Sequence, residues 1–406
     1  MQAIEKNNFC ILPWSGLEIN ADGTVRPCCF FSDRIKDGNR EMNVAVDSIV
    51  SIRNSQYLQN LRSDFLEDKK PEACNQCWKQ ESAGLSSERI NSNRQYASKV
   101  KDISTDTSTG ILKKLGIALG NICNLKCRIC GPWASSSWNA DEIKTIPRDQ
   151  LPGTIEEKML TMGAWPLKND SFWSQFAEEI KTVTELSIYG GEPFMIPTHF
   201  EVLQFLVDNH YSQNIKIVYN TNGTQFPTKA INLWKEFKRV DLAISIDNLS
   251  DKFEYERKNA HWDLLVSNLE KFNKIQQQQK NINLQCVVTV SIYNVLNLIE
   301  IAQWIEQQEF TIPTFWNILY FAEHHSIAHL SQSTKEYIKN KLTSTNANLN
   351  THNRNNINNV VKYMMDNNPG SLEHKLVQEI KRIDQFRSES LCKSHSELAA
   401  LLGYDG

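Results

Sequence analysis

The chain has 406 residues, 40% hydrophobic and 22% charged, an ordinary globular balance that excludes a disordered or fibrous class. Its formal net charge is −3 with Lys and Arg scattered, so no strong field favours nucleic acid or an acidic membrane surface. No stretch reaches the ~18 apolar residues of a membrane span, and Met1–Asn8 lacks a signal-peptide pattern. The chain therefore reads as cytoplasmic, with neither a nucleic-acid nor a membrane partner. Disulfides are not expected there, so the ten cysteines, at 10, 28, 29, 74, 77, 123, 127, 130, 286 and 392, point to metal ligation.

In chain order, residues 1–101 carry five cysteines among polar and turn residues and read as a small Cys-rich domain of hairpin and helix. Leu17–Val25 reads as a β-hairpin turning at Asp22-Gly23. The Ser/Thr/Asp-rich run 102–110 reads as a linker. From 111 to 330 short apolar runs alternate with helix-period segments. Strands are expected near Leu115–Leu119, Glu185–Tyr189, Ile215–Asn220, Val240–Ile246, Leu284–Val290 and Thr314–Tyr320. Helices are expected at Thr198–Asn209, His261–Gln277 and Val295–Gln308. Six strands interleaved with helices imply right-handed βαβ units and an α/β fold, a partial (β/α)6 barrel. Asp141–Lys181, with Trp165 and Trp173, reads as an insertion, and 331–406 as a helical C-terminal extension.

Directly after the first barrel strand comes Cys123-Asn124-Leu125-Lys126-Cys127-Arg128-Ile129-Cys130, a C-x3-C-x2-C loop. Three thiolates in one loop can hold three corners of a [4Fe–4S] cube and leave the fourth iron open. A structural zinc would ask for a fourth ligand, and none is near in sequence. The loop also follows the C-terminal end of a parallel strand, where barrel enzymes place their chemistry. It resembles the cluster loop of the radical S-adenosylmethionine (SAM) superfamily, and three later motifs match in order. Gly190-Gly191-Glu192-Pro193 ends the second strand, Tyr219-Asn220-Thr221-Asn222-Gly223 the third, and Ser245-Ile246-Asp247 with Arg257 the fourth.

The resemblance implies that Cys123, Cys127 and Cys130 hold a cluster whose open iron SAM chelates, and that SAM is cleaved to methionine and a 5′-deoxyadenosyl radical. It further implies SAM contacts from Gly190, Gly191, Glu192, Asn220, Asn222, Ser245, Asp247 and Arg257. Glu192 would take the amino group, and Ser245 and Arg257 the ribose and carboxylate. Many members carry an aromatic residue before the third cysteine; Ile129 stands here instead.

The other group has the spacing C-x12-G-x4-C over Cys10, Gly23 and Cys28, with Cys29 adjoining and Cys74-Asn75-Gln76-Cys77 following. It resembles the SPASM or twitch domain, whose auxiliary [4Fe–4S] cluster Cys10, Cys28, Cys74 and Cys77 would hold. Cys29 could replace Cys28, and a four-cysteine structural zinc is the competing reading. In most relatives this domain follows the barrel, whereas here it precedes it.

Members of this branch largely modify ribosomally made peptides or protein side chains, and others oxidise small molecules such as aminosugars. The resemblance therefore implies a peptide substrate, with a small-molecule dehydrogenase as the alternative. It implies an electron donor such as flavodoxin or ferredoxin, and a separate peptide-carrier protein is a further partner to consider. A non-enzymatic iron–sulfur or zinc protein would need no SAM pocket. Cys286 reads as a core thiol and Cys392 as a tail residue. His324 and His325 read as surface-loop residues, and Trp14, Trp78, Trp133 and Trp138 as packing between the cluster loops.

Overall fold

The computed structural model describes residues 7–96, 107, 110–162, 165–167, 169–345 and 348–405. Within the expected linker only Thr107 and Gly110 are described, and the rest of 102–110 lies outside the described residues.

An eight-stranded sheet organises the chain. Its strands are β1 (Gly16–Ile19), β2 (Val25–Arg26), β3 (Lys114–Ala118), β4 (Glu185–Tyr189), β5 (Lys216–Thr221), β6 (Arg239–Ser245), β7 (Ile282–Val290) and β8 (Ile312–Ile318). Their spatial order is β8-β7-β6-β5-β4-β3-β1-β2. From β3 to β8 each strand lies parallel to its predecessor. Helices including Pro197–Asp208, Thr228–Trp234, Trp262–Gln278 and Leu298–Ile305 fill the connections. This is the partial (β/α)6 barrel, with all six expected strands present.

The N-terminal hairpin joins that sheet. β1 and β2 pair antiparallel, and β1 then pairs parallel with β3, from Gly16 beside Lys114 to Ile19 beside Ile117. All four β1 residues are buried, so the hairpin covers an edge that β3 would otherwise expose. One contiguous apolar core runs from Phe9 to Tyr404. The opposite sheet edges approach through Tyr320, whose hydroxyl donates to the Cys29 carbonyl at 3.2 Å.

Strand alternation separates two faces. Leu186, Ile188, Ile217, Tyr219 and Ile244 are buried; the Tyr219 hydroxyl, accepting from Trp234 Nε1 at 3.2 Å, marks theirs as the helix-covered face. Ser187, Val218, Asn220, Ser245, Val287 and Thr289 lie on the other face, only partly buried or exposed, and line the barrel interior. The N-terminal end of that interior is closed by ion pairs. Lys114 sits between Glu88 at 2.7 Å and Glu185 at 2.8 Å, and Lys216 between Glu185 at 3.1 Å and Asp241 at 3.2 Å. Access is left to the C-terminal ends of the strands.

The insertion forms helices Ile155–Met162 and Asp170–Glu179, with Trp165 buried edge-on to Phe172. The C-terminal extension is helical as expected, with Gln332–Thr345, Thr351–Asp366 and Glu373–Arg387 its longest helices. Among the described residues no helix is long and apolar enough to cross a membrane.

Candidate functional site

The loop after β3 gathers three thiols. Those of Cys127 and Cys130 are neighbours that act on each other's ionisation, and Cys123 feels the charge of Cys127. The loop is held in shape by a two-residue ribbon, Lys126–Cys127 against Arg257–Lys258, and by Trp138 Nε1 donating to the Cys127 carbonyl at 2.6 Å. The Cys123 sulfur accepts from the Leu125 amide at 3.4 Å and lies 3.8 Å from Asn222 Nδ2, while Arg257 Nη1 is 3.9 Å from the Cys127 sulfur. Burial first, and Cys127 second, push the Cys123 thiol up to about 12. Cys130 is likewise pushed up, by Cys127 first and burial second, whereas Cys127 is held down by its neighbour Cys130 first. Thiols clustered beside N–H donors and a guanidinium suit a cationic iron–sulfur cluster, which would relieve their repulsion.

Glu192 is fully buried at the end of β4. Its carboxylate accepts from Thr221 Oγ1 and the Asn222 amide, each at 2.8 Å, and from the Phe194 amide at 3.3 Å. Burial outweighs these bonds and pushes its pKa up to about 7. The preceding glycines serve the cluster loop directly. Gly191 has φ +59, and a Cβ there would lie 2.2 Å from the Ile122 carbonyl oxygen; at Gly190 it would lie 2.4 Å from Ala118 Cβ. Only glycine lets this turn dock on the loop, where the Glu192 amide donates to Ile122 O at 2.7 Å.

Of the SAM-contact candidates, Asn222 ties β5 to the loop through Asn124 Oδ1 at 3.0 Å. Arg257 is ion-paired to Asp247, whose other oxygen accepts from the Thr289 amide at 2.8 Å; the buried Arg257 Nε has no hydrogen-bond partner among the described residues. Asn220 and Ser245 lie on the interior face of neighbouring strands, without a contact to the thiols among the described residues. Ile129 is half-buried in the loop.

The N-terminal site is a separate small cavity lined by Cys10, Cys28, Cys74 and Cys77 with Leu12, Phe30, Phe31, Phe65 and Arg89. Burial first pushes the thiols up, Cys74 to about 12 and Cys77 to about 11. Among the described residues no group of His, Cys, Asp or Glu converges as on a single metal ion. The four thiols share one lining, and four thiolates are the ligand set that a cuboidal cluster asks for. Cys29 is not in this lining; its thiol neighbours Glu88, Glu18 and Lys114.

Three groups escaped the sequence reading. Glu18, buried on β1, meets the Tyr189 hydroxyl inside the barrel, and burial raises its pKa. Arg26, its cross-strand partner, donates to the Cys29 carbonyl at 3.1 Å. Arg128, between the second and third cysteines, is fully buried against Asp384 and Glu389 of the C-terminal extension. An alternating polar position on a hairpin strand was a visible signal for Glu18; no local signal links Arg128 to residues beyond 380. His325 is buried rather than on the surface, and burial holds its pKa down to about 3. Trp133 is 43% exposed, with its ring edge-on to Phe321, whereas Trp14 and Trp138 are buried. Cys286 is a core thiol on β7.

A family model described as an iron–sulfur cluster-binding domain (SPASM) matches residues 10–78, and one described as the radical SAM superfamily matches residues 117–299. No curated protein matches. The chain is similar to the solved structure of Streptococcus suis SuiB bound to S-adenosylmethionine, at 18% identity, over 85% of this chain and 71% of that one, with a TM-score of 0.37. SuiB bound to its precursor peptide SuiA is similar at 16% identity, over 82% and 72%, with a TM-score of 0.33. Also similar is anSMEcpe with bound AdoMet and a Cp18Cys peptide, at 16% identity, over 56% and 59%, with a TM-score of 0.34. With the barrel, its cysteine loop and the N-terminal four-thiol cavity in hand, residues 117–299 are a radical SAM domain and residues 10–78 a SPASM domain, and the chain takes S-adenosylmethionine, a SAM-binding [4Fe–4S] cluster and an auxiliary cluster.

Proposed function

We propose that this chain modifies a peptide or protein side chain, starting from hydrogen abstraction by a SAM-derived radical. Cys123, Cys127 and Cys130 hold the barrel cluster, and Cys10, Cys28, Cys74 and Cys77 the auxiliary one. Bound there, the first cluster supplies the electron that splits SAM into methionine and a 5′-deoxyadenosyl radical, and the second an acceptor for the electron a substrate radical gives up. Around SAM, Glu192 accepts from the ammonium group and the turn at Gly190 and Gly191 brings backbone close. Asp247 orients Arg257, whose unpartnered buried Nε has a donor to offer the SAM carboxylate. Ser245, Asn220 and Asn222 complete the ribose side from β5 and β6.

A peptide rather than a small molecule is favoured by the barrel mouth. Ile122, Trp133 and Phe321 are 43%, 43% and 52% exposed there. Edge-on ring contacts run from Trp133 to Phe321, then Tyr320, then Phe30 of the N-terminal segment, at 6.1, 5.6 and 5.8 Å. An extended apolar rim of this kind serves a ligand longer than the interior itself. The polar interior at Asn220, Ser245 and Thr289 keeps dehydrogenation of a hydroxyl-rich small molecule as the alternative.

With dithionite and SAM, the reconstituted protein is expected to release 5′-deoxyadenosine slowly without substrate. Arg257→Ala is expected to weaken SAM binding by about tenfold or more, the equivalent of a lost charge-assisted bond, with iron content unchanged. Side-chain-deuterated peptides are expected to pass deuterium into 5′-deoxyadenosine. Transfer from deuterated aminosugars and from no peptide would replace this reading with the alternative.

A further inference from the structure

Arg128 lies inside the cluster loop, yet its side chain is turned away from the thiols and is 0% exposed. Its backbone amide donates to the Glu256 carbonyl at 2.8 Å, its Nε to the Tyr255 carbonyl at 3.1 Å, and its guanidinium stacks on the Tyr255 ring at 3.7 Å. A guanidinium buried this deeply is very costly without a counter-charge. Both carboxylates within ion-pair distance of it come from the C-terminal extension, Asp384 at 2.5 Å and Glu389 at 2.6 Å.

Asp384 is itself a hub. Besides Arg128 its two oxygens accept from the Tyr255 hydroxyl at 2.9 Å, the Leu391 amide at 2.8 Å and the Tyr404 hydroxyl at 2.9 Å. Four donors fill the acceptor capacity of a carboxylate. A second grip lies one helical turn on. Arg387 Nη1 donates to the Lys126 carbonyl at 2.9 Å, and its guanidinium lies 4.3 Å from the Trp138 ring, the same indole that binds the Cys127 carbonyl. Glu389 also pairs with Lys258 at 2.9 Å, on the strand that forms the ribbon with Lys126–Cys127.

We propose that the C-terminal extension is a latch for the cluster loop, with Arg128, Asp384 and Glu389 as positioning residues that hold Cys127 and Cys130 in place for the barrel cluster. The inference rests on reading Cys123, Cys127 and Cys130 as the ligands of that cluster. Among the described residues no hydrogen bond or ion pair joins the three latch side chains to a cluster-loop thiol. They act through the loop backbone, because Arg128 cannot leave its pocket without carrying its neighbours with it. Loss of either carboxylate weakens the hold on the buried guanidinium and loosens the segment between the second and third cysteines.

The test compares full-length, anaerobically reconstituted wild type with Asp384→Asn, by hydrogen exchange and by electron paramagnetic resonance (EPR) with and without SAM. Exchange over residues 121–135 is expected to quicken at least tenfold, with residues 9–30 unchanged. The SAM concentration that half-converts the barrel-cluster signal is expected to rise at least tenfold, with the auxiliary signal retained. Exchange at 121–135 equal to wild type, or raised equally around both cysteine groups, would overturn the latch. If Asp384→Asn does not accumulate folded, Glu389→Gln carries the test, since Glu389 is 12% exposed and Asp384 remains; the same loop-confined quickening, about threefold, is then expected, and none overturns the proposal. A wild type that binds no barrel-cluster iron while exchange still responds would refute the ligand reading and leave the latch standing.

Discussion

The two thiol sites use the same side chain under opposite constraints. The N-terminal cavity draws Cys10, Cys28, Cys74 and Cys77 from three separate segments and surrounds them with Leu12, Phe31 and Phe65. The barrel loop packs three thiols into eight residues and surrounds them with Glu192, Asn222 and Arg257. Four thiols in a largely apolar wall would complete a cluster's ligand set, an arrangement suited to electron exchange. A set of three beside buried polar groups leaves one iron and several donors and acceptors for a ligand. The anchoring differs as well: the cavity rests on its shared apolar core with Arg89 and Asn93 donating to the Phe9 carbonyl, the loop on ion pairs and hydrogen bonds that reach as far as the C-terminal extension.

The largest effect should come from emptying either site. Replacing Cys123, Cys127 and Cys130 by Ala is expected to take the reconstituted protein from about eight irons to about four and to abolish 5′-deoxyadenosine formation. Replacing Cys74 and Cys77 is expected to remove the other four or so irons while SAM cleavage continues and oxidised product does not form. Because metal binding is coupled to folding in Cys-rich segments, and β1 belongs to the barrel sheet, the unfolding midpoint of this variant must be measured alongside. Loss of SAM cleavage in a folded double variant would mean that the sites are not separable.

Gly191→Ala sharpens the comparison without removing a thiol. Its Cβ would strike the Ile122 carbonyl from a left-handed backbone, so destabilisation of about 4 kcal/mol is expected from strain and overpacking together. Denaturant unfolding checks the size, and iron analysis should show the loss confined to the barrel cluster. A smaller effect is expected beneath the barrel floor. Burial alone would raise Glu185, but Lys114 and Lys216 outweigh it and hold its pKa at about 2, below the ordinary 4.5. Its stabilisation, about 3 kcal/mol, is whole above pH 4.5 and fades as pH falls toward 2. Glu185→Gln should flatten that part of the acid-unfolding curve.

Much of the barrel was legible because its information is local. Six apolar runs at regular spacing state a parallel sheet, and a cysteine loop after the first strand states its own position at the strand's C-terminal end. Cys10, Cys28, Cys74 and Cys77 could be grouped by spacing, but spacing could not separate Cys28 from Cys29. Adjacent side chains on an extended segment point to opposite sides, and only the folded chain turns one into the cavity and the other toward Glu18.

The sequence by itself determined the element order, the barrel and the family chemistry, because hydrophobic period and cysteine spacing act over a few residues. Tertiary structure alone decided that β1 would pair with β3, that Gly191 would dock on Ile122, and that Arg128 would find Asp384 some 256 positions away. Those choices depend on which edge needs covering and which buried charge needs a partner. Neither need exists until the chain has folded around it.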